Sequence, residues 1–455
     1  MSTNDKTQAR SRIDALVDQD SFVEIGAGVT SRSTDFALGK DAAGDGVITG
    51  YATVEGKLVY VYSQDSTVLG GSMGEMHAKK IVKLYDMAMK MGAPVIGLVD
   101  CAGLRLQETV DALEGFGALY TKEAAASGVV PEISVIFGKC GGGMAISAGI
   151  SDFVFMEEKD AALFVNAPNT LDGNYKEKCD TSSAAFQAEN AGIVDGFGTE
   201  EEILSKVRAL VSFLPSNNEE PAVEDASDDL NRLTAELEGV TDVRYIAQEI
   251  ADDRIFFETK ADFAKDMVTG FVRLDGVTTG IVANAEAVLS PKGCRKAASF
   301  VNFCDAFEIP LVTLVQASGY ETTMCAEKNI ALDAARLTLA FAGATVPKIS
   351  IVIGDAMATP YVIMNSKSIG ADIAYAVEST KIGIMDAGIA AKIIGGDLAA
   401  VKAEFDEKQT AEASARRGYI DEIISMSTIR KNILIALEML YAKRDELPDK
   451  KHSAK

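Results

Sequence analysis

The sequence predicts a duplicated α/β fold, two domains that are each a run of strand–turn–helix units. Three observations predict it. The segment GVVPEISVIFGKCGGGMAIS (128–147) reappears as ATVPKISIVIGDAMATPYVI (344–363). Pro131 falls on Pro347, Ile133-Ser134 on Ile349-Ser350 and Gly138 on Gly354, all at one offset (347 − 131 = 216). The segment GDGVITGYATVEGKLVYVYSQD (44–65) reappears as MVTGFVRLDGVTTGIVANAE (267–286), with Thr49-Gly50 on Thr269-Gly270 and Gly56 on Gly276. Finally, APVIGLVD (93–100) and IPLVTLVQ (309–316) are continuous apolar runs, which suit parallel strands buried on both faces.

The elements follow in order. SRIDALVDQDSFVEI (11–25) reads as an amphipathic helix entering a strand. The alternating segment after it turns at Glu55-Gly56, a hairpin signature. Ile81, Leu84, Tyr85 and Ala88 lie at helical spacing, as do Ala297, Phe300, Val301 and Cys304 in the second copy. Each helix runs into one of the apolar strands. Glycine-bearing turns come next, CAGLRLQE (101–108) and ASGYETT (317–323). A further helix leads to the third strands, ISVIF (133–137) and ISIVI (349–353), and the fourth are DFVFM (152–156) and DIAYAV (372–377). The acidic stretch LPSNNEEPAVEDASDDL (214–230), punctuated by two prolines, reads as a linker. The domains are then 1–215 and 230–455, joined by linker 216–229. STIRKNILIALEMLYAKRDELP (427–448) is patterned as a helix, and DKKHSAK after it has the composition of a disordered tail.

Composition narrows the function. The 455 residues, 47% of them apolar, supply ample core for two domains. With 44 basic against 67 acidic residues the net charge is −23, which argues against nucleic acid and anionic membranes as partners. The six cysteines form no C-x-x-C pair, so neither a zinc site nor a disulfide framework is expected, and no metal is assigned. No run approaches the roughly 18 apolar residues of a membrane span, and the N-terminus lacks an apolar stretch. A cytoplasmic protein with no direct membrane insertion is the expectation. Only His77 and His452 are available, which excludes a mechanism needing several histidines.

The chemistry concentrates in ISVIFGKCGGGMAISAG, read as a strand to Phe137, a turn over Gly138–Gly143 and a helix from Met144. Such a helix start presents free N–H groups and a favourable dipole to a carbonyl oxygen gaining negative charge. The alternative is that the glycines only allow tight helix–strand packing. On the same offset Gly142, Gly143 and Met144 meet Ala358, Thr359 and Pro360. Arg105 reads either as a partner for a carboxylate or phosphate, or as a solvated helix-start residue. Lys79, Lys80 and Lys83 read as a solvated face rather than a phosphate site. His77 reads as structural rather than as a base, and Lys139 and Cys140 as positioning residues.

GDGVITGY, SQDSTVLGGSMGEMHAKKI (63–81), APVIGLVDCAGLRLQE, GVVPEISVIFGKCGGG and SDFVFM resemble the carboxyltransferase subunits of biotin-dependent acyl-CoA carboxylases, of the propionyl-CoA and acetyl-CoA carboxylase beta type. They equally resemble the alpha subunits of methylmalonyl-CoA and glutaconyl-CoA decarboxylases. VTGFVRLDG, GIVAN, FVNFCDAFEIPLVTLV, ATVPKISIVI, GADIAYAV and the tail (416–452) extend the resemblance over nearly the whole chain.

The resemblance implies two crotonase-like (β-β-α superhelix) domains per chain and a homo-hexamer, or a hetero-oligomer with a homologous subunit. It implies acyl-CoA on the N-terminal domain and biotin on the C-terminal domain of another subunit. The biotin would be attached to a partner carrier protein, with biotin carboxylase or membrane decarboxylase subunits as further partners. The implied catalytic residues are Gly142 and Gly143 for a thioester enolate, and Ala358 and Thr359 for the biotin carbonyl. Implied substrate-binding residues are Gly103, Arg105, Lys139, Gly141, Asn166, Gly192 and Gly319.

Departures cluster in the second copy. Pro360 stands where the family has an alanine N–H donor, a loss typically worth about 10²–10³ in rate. Residues 317–322 replace a Pro-Gly-Phe-Leu-Pro-Gly stretch. In AENAGIVDGFG (188–198), which matches a glycine-rich helix start of the family, Asp195 replaces a histidine. The expected function is carboxyl transfer between biotin and a short acyl-CoA. The alternatives are a non-catalytic partner subunit and a biotin-independent crotonase-type enzyme with Glu108 or Glu114 as acid–base groups.

Overall fold

The computed structural model describes residues 7–32, 35–36, 44–226 and 228–448. His452 and the DKKHSAK tail lie outside the described residues. The chain forms two compact units, Met1–Pro221 and Ala222–Lys455.

The first unit opens with α1 (Gln8–Leu16) and β1 (Val23–Ile25), then the hairpin β2 (Val47–Val54) and β3 (Lys57–Gln64). Glu55 and Gly56 close the hairpin at φ 50° and 75°, the left-handed pair that matches strand twist. There follow β4 (Ser72–Met73), α2 (Glu75–Met91), β5 (Val95–Cys101), β6 (Gly103–Leu104), α3 (Thr109–Ala126), β7 (Glu132–Gly141) and α4 (Gly143–Ile150). Then come β8 (Phe153–Glu157), β9 (Ala162–Phe164), a short α5 (Ala184–Phe186), β10 (Gly196–Gly198) and α6 (Glu200–Phe213). A capping box of Thr199 and Glu202 starts α6.

The second unit runs α7 (Val243–Ile250), β11 (Phe257–Thr259), β12 (Met267–Leu274), β13 (Val277–Asn284), β14 (Val288–Leu289), α8 (Pro291–Ala306), β15 (Leu311–Val315) and β16 (Gly319–Tyr320). It continues with α9 (Met324–Glu327), α10 (Ile330–Gly343), β17 (Lys348–Val352), β18 (Ala356–Met357), α11 (Ala358–Ile363), β19 (Ile373–Val377) and β20 (Ile382–Gly383). Helices α12 (Ala387–Ile394), α13 (Leu398–Lys408) and α14 (Ala411–Ala415), strand β21 (Glu422–Ile424) and helix α15 (Ile429–Leu440) complete it.

The two sheets share one topology. The first has the order β1-β2-β3-β5-β7-β8-β10, with β9 on β7, and the second β11-β12-β13-β15-β17-β19-β21. The hairpin side is antiparallel and the rest parallel. Parallel neighbours need crossovers, which α2 and α3 supply in the first unit and α8 and α10 in the second. Tyr62, Ile81, Leu84, Val95, Val99, Leu119 and Ile136 form part of the first core, and Val272, Ile281, Val312, Leu314, Ile351 and Ile433 part of the second.

The duplication extends to single hydrogen bonds. Ala102 N–H donates to Gly71 O and Ser318 N–H to Ala287 O; Arg105 N–H donates to Met73 O and Glu321 N–H to Leu289 O. Both pairs keep the offset of 216 (318 − 102 and 321 − 105). Lys80 and Lys296, at that offset, each bury the ammonium on two backbone carbonyls: Gly44 and Val47 for the first, Lys260 and Phe263 for the second. Burial lowers both pKa values, that of Lys296 to about 8. Lys80 is therefore no part of a solvated face. Helical spacing alone could not distinguish it from Lys79, which is exposed and paired with Glu75.

The acidic segment after α6 is also more ordered than its composition suggests. Asn217 Nδ2 donates to Gly92 O and Asn218 N–H to Val129 O in the first unit. In the second, Val223 bridges Val277, and Glu224 N–H donates to Gly276 O. Edge pairing satisfies backbone groups that a free linker would leave to water.

Buried carboxyl groups give the first unit a pH dependence. Glu132, at the start of β7, is 1% exposed and accepts from Tyr85 Oη at 2.9 Å. Burial pushes its pKa from 4.5 up to about 9, and that of Asp152 up to about 7. A carboxyl held protonated by folding contributes stability that is complete below its unfolded pKa and lost as pH rises through the folded value. The unfolding temperature is expected to fall between about pH 5 and 9 for this reason. Glu132→Gln should flatten that fall, as read by thermal melts across the range; an unchanged slope would assign the alkaline loss elsewhere.

Candidate functional site

At the C-terminal end of β7 the structure departs from the expected turn. The strand does not stop at Phe137 but continues to Gly141, because Lys139, Cys140 and Gly141 pair in parallel with Ala162, Leu163 and Phe164 of β9. The turn is then one residue, Gly142, at φ 57° and ψ −120°, a conformation open to glycine and costly for other residues. Gly142 donates its N–H to Phe164 O at 2.9 Å. The expectation of Gly142 as an oxyanion donor is corrected: its N–H is spent in the turn, and its role is conformational.

The free donors lie one residue further on. Gly143 and Met144 are the first two residues of α4, where a helix leaves N–H groups without an internal acceptor. Among the described residues no acceptor takes either of them. Gly143 also needs to be glycine for space, since a Cβ there would lie 2.8 Å from the Phe116 ring and from the Tyr120 hydroxyl.

Gly103 belongs to the same spot. Its φ is 114°, and a Cβ on it would sit 3.3 Å from Gly141 O. Lys139 is exposed on the strand and Asn166 exposed two residues past Phe164. Gly192 ends a single π-helical turn over Gln187–Ala191 at φ 72°. The stretch 188–198 is therefore a helix exit, not a helix start. Asp195 within it is structural: its Oδ2 accepts the Val154 N–H at 2.9 Å.

Arg105 is a second correction. It is fully buried, and its guanidinium meets Asp45 at 2.5 Å, Glu108 at 2.7 Å and Ser72 O at 2.8 Å. Asp45 and Glu108 in turn accept the backbone N–H of His77 and Glu75 in the first turn of α2, at 2.7 and 2.6 Å. The cluster caps α2, and Arg105 neutralises the two carboxylates that do so. Neither a ligand carboxylate nor a CoA phosphate can reach it. Sequence spacing could not reveal this, because Asp45 arrives from 60 residues away. Glu108 is consumed in the same cluster and serves no acid–base role. His77 lies beside it, with Nε2 3.2 Å from Gln64 and Nδ1 2.9 Å from Asp45 O. Burial depresses its pKa to about 3, so it stays neutral.

The second unit repeats the arrangement in altered chemistry. Met357 at the end of β18 donates to Ala317 O at 2.8 Å, which brings the 317–320 loop to the start of α11. Ala358 keeps the positive φ of Gly142, 54° against 57°, at the same offset (358 − 142 = 216). Ala358 continues the parallel register of Met357 on Gly383, so its N–H faces the Gly383 carbonyl as that of Gly142 faces Phe164. Thr359, the next residue of α11, is the equivalent of Gly143. Pro360 is the third helical residue, a position whose N–H has no intrahelical partner in any case. The proline thus removes a donor without breaking the helix. Tyr320 Oη lies 3.2 Å from Thr359 Oγ1 and donates to it, which leaves the threonine O–H free to point elsewhere. Gly319 pairs with Val288 and has open space around it. Phe164 and Tyr320 are the residues that sequence reading missed. Only the register of β9 and β16 exposes them.

A positive φ on alanine costs about 1–2 kcal/mol, against roughly 0.5–1 kcal/mol for the flexibility of glycine. Ala358→Gly is expected to stabilise the protein by up to about 1 kcal/mol, read as a rise in denaturant midpoint at constant slope. A fall would mean that the alanine methyl makes packing contacts worth more than the strain.

All six cysteines are free thiols. Among the described residues there is no cluster of His, Cys, Asp and Glu able to hold a metal ion, and no helix long and apolar enough to cross a membrane.

Comparison with known proteins agrees with this geometry. The model of the carboxyl transferase domain matches residues 2–454. The chain is 40% identical to a propionyl-CoA carboxylase beta chain of Roseobacter denitrificans, covering 98% of this chain and 93% of that protein. It is 38% identical to a methylmalonyl-CoA decarboxylase subunit alpha of Propionigenium modestum, over 98% and 92%. The transcarboxylase 12S structure, a hexamer with methylmalonyl-CoA bound, superposes with TM-score 0.93 at 34% identity, over 98% of this chain and 91% of that one. A single-chain long-chain acyl-CoA carboxylase shares the fold at 22% identity, with TM-score 0.79. The paired strand–turn–helix units and a match over the whole chain place this protein in the carboxyl transferase domain family, as a carboxyltransferase of the propionyl-CoA carboxylase and transcarboxylase type.

Proposed function

We propose that the chain moves a carboxyl group between carrier-bound biotin and a short acyl-CoA of the propionyl or methylmalonyl class. The observation that carries this is the pair of N–H groups on Gly143 and Met144 that have no acceptor among the described residues. A thioester oxygen seated there gains negative charge when the α-carbon loses its carboxyl group or proton. Two fixed donors at a helix start stabilise that charge without reorganising. Gly103 and Gly141 let backbone approach the acyl group closely, and exposed Lys139 and Asn166 flank the spot.

The second turn is the candidate site for the ureido carbonyl of biotin. The Thr359 N–H and hydroxyl are the donors that would hold a ureido oxygen, with Tyr320 fixing the threonine and Ala358 shaping the turn. Biotin visiting on its carrier supplies or receives the carboxyl group. The residues of this chain supply binding and charge stabilisation. The N-terminal unit is the acyl-CoA side in this reading and the C-terminal unit the biotin side. A hexamer is the assembly proposed from the transcarboxylase likeness.

The test uses the purified protein alone with methylmalonyl-CoA or malonyl-CoA and free biotin. Formation of carboxybiotin with matching loss of the acyl-CoA carboxyl group is expected. Tight acyl-CoA binding without transfer, restored only by a co-purifying homologous chain, would favour the one rival that Pro360 motivates, a subunit whose biotin side is completed by a paralogue.

A further inference from the structure

A hydroxyl not assigned to the chemistry lies behind the first turn. Tyr120, on α3, donates its Oη–H to the carbonyl oxygen of Gly143 at 2.7 Å. That carbonyl and the N–H of Met144 belong to one planar amide, so the two ends are electronically coupled. A donor on the oxygen makes the N–H at the other end more positive, the cooperative strengthening of hydrogen-bond chains. We propose that Tyr120 is a positioning residue that polarises and orients the Gly143–Met144 amide, so that the Met144 N–H is a stronger oxyanion donor than an isolated helix-start amide. This rests on the reading of α4 as the acyl-CoA oxyanion site.

Three observations support it. The phenol is half-buried, and burial together with nearby Glu123 raises its pKa, so it remains a donor at neutral pH. One turn further along α3, Glu123 holds the Ser147 hydroxyl of α4, so a second contact fixes the two helices together. The phenol also has no counterpart in the duplicate. The offset places Arg336 there (120 + 216 = 336), and Arg336 pairs with Asp333 at 2.7 Å. The hydroxyl therefore belongs to the acyl side and is not part of the repeated scaffold.

Tyr120→Phe keeps the ring, which packs against Phe116 with centroids 5.8 Å apart, and removes only the donor. An oxyanion donor is worth about 10²–10³ in rate, and cooperative strengthening is about 10–30% per bond. The expected loss in kcat for carboxyl transfer is thus about two- to eightfold, with KM for methylmalonyl-CoA unchanged. The infrared band of a carbonyl-labelled thioester bound to the variant should shift toward its frequency in free acyl-CoA. Replacing Tyr120 with 3-fluorotyrosine, a stronger donor, should shift it the other way. Unchanged kcat and band positions in both variants, while Gly143→Pro still abolishes turnover, would overturn the role of Tyr120 alone. Unchanged turnover in Gly143→Pro would overturn the site, and the inference with it.

Discussion

Gly143→Pro is expected to lower carboxyl transfer about 10²- to 10³-fold relative to Gly143→Ala. The comparison with alanine is essential. Any Cβ at this position meets the Phe116 ring and the Tyr120 hydroxyl at 2.8 Å, so the alanine variant carries the packing cost of that atom. Only proline also removes the N–H. Proline is well suited to the first position of a helix, and Gly142 before it already lies outside the α region, which a following proline favours. Assembly and acyl-CoA binding should therefore survive in both. Steady-state kinetics give the ratio, and size-exclusion chromatography checks the oligomer. Equal activity in the two variants would show that the Gly143 N–H does not face developing charge.

Arg105→Met is expected to destabilise the first unit by about 3–5 kcal/mol, the cost of leaving buried partners without their counter-charge. Asp45 and Glu108 are 0% and 1% exposed, and both are tied to the start of α2. Burial already raises the Asp45 pKa against the opposing pull of Arg105. Losing the guanidinium forces proton uptake or water entry there. Denaturant melts should show the loss, and adding Glu108→Gln should recover part of it, because the two residues are in direct contact. A direct role in holding CoA predicts the reverse, normal stability with weakened acyl-CoA binding. That outcome would overturn the structural assignment of Arg105.

Which features were legible in the sequence follows from what each one depends on. The hairpin turns at Glu55-Gly56 and Asp275-Gly276 rest on adjacent residues, and the glycine of each marks the left-handed position. The apolar runs 95–101 and 311–315 carry the burial of a parallel strand in their composition alone. The family motifs and the offset of 216 likewise needed only the order of residues. The errors arose where a partner comes from far along the chain. Gly142 resembled an oxyanion donor until β9 folded back and Phe164 accepted its N–H. Arg105 and Lys80 resembled surface cations until Asp45, Gly44 and Val47 closed over them.

The sequence by itself determined a two-unit α/β fold, because hydrophobic period and turn residues are local properties repeated twice, and its motifs in order carry the resemblance to the carboxyltransferase family. The tertiary structure decided which N–H groups remain free for chemistry. A backbone donor is available only if no acceptor reaches it, and acceptors come from strand register and crossover. Hence, among the described residues, Gly143 and Met144 and not Gly142 keep free N–H groups at the first turn, and Pro360 removes a donor at a helix position that tolerates the loss.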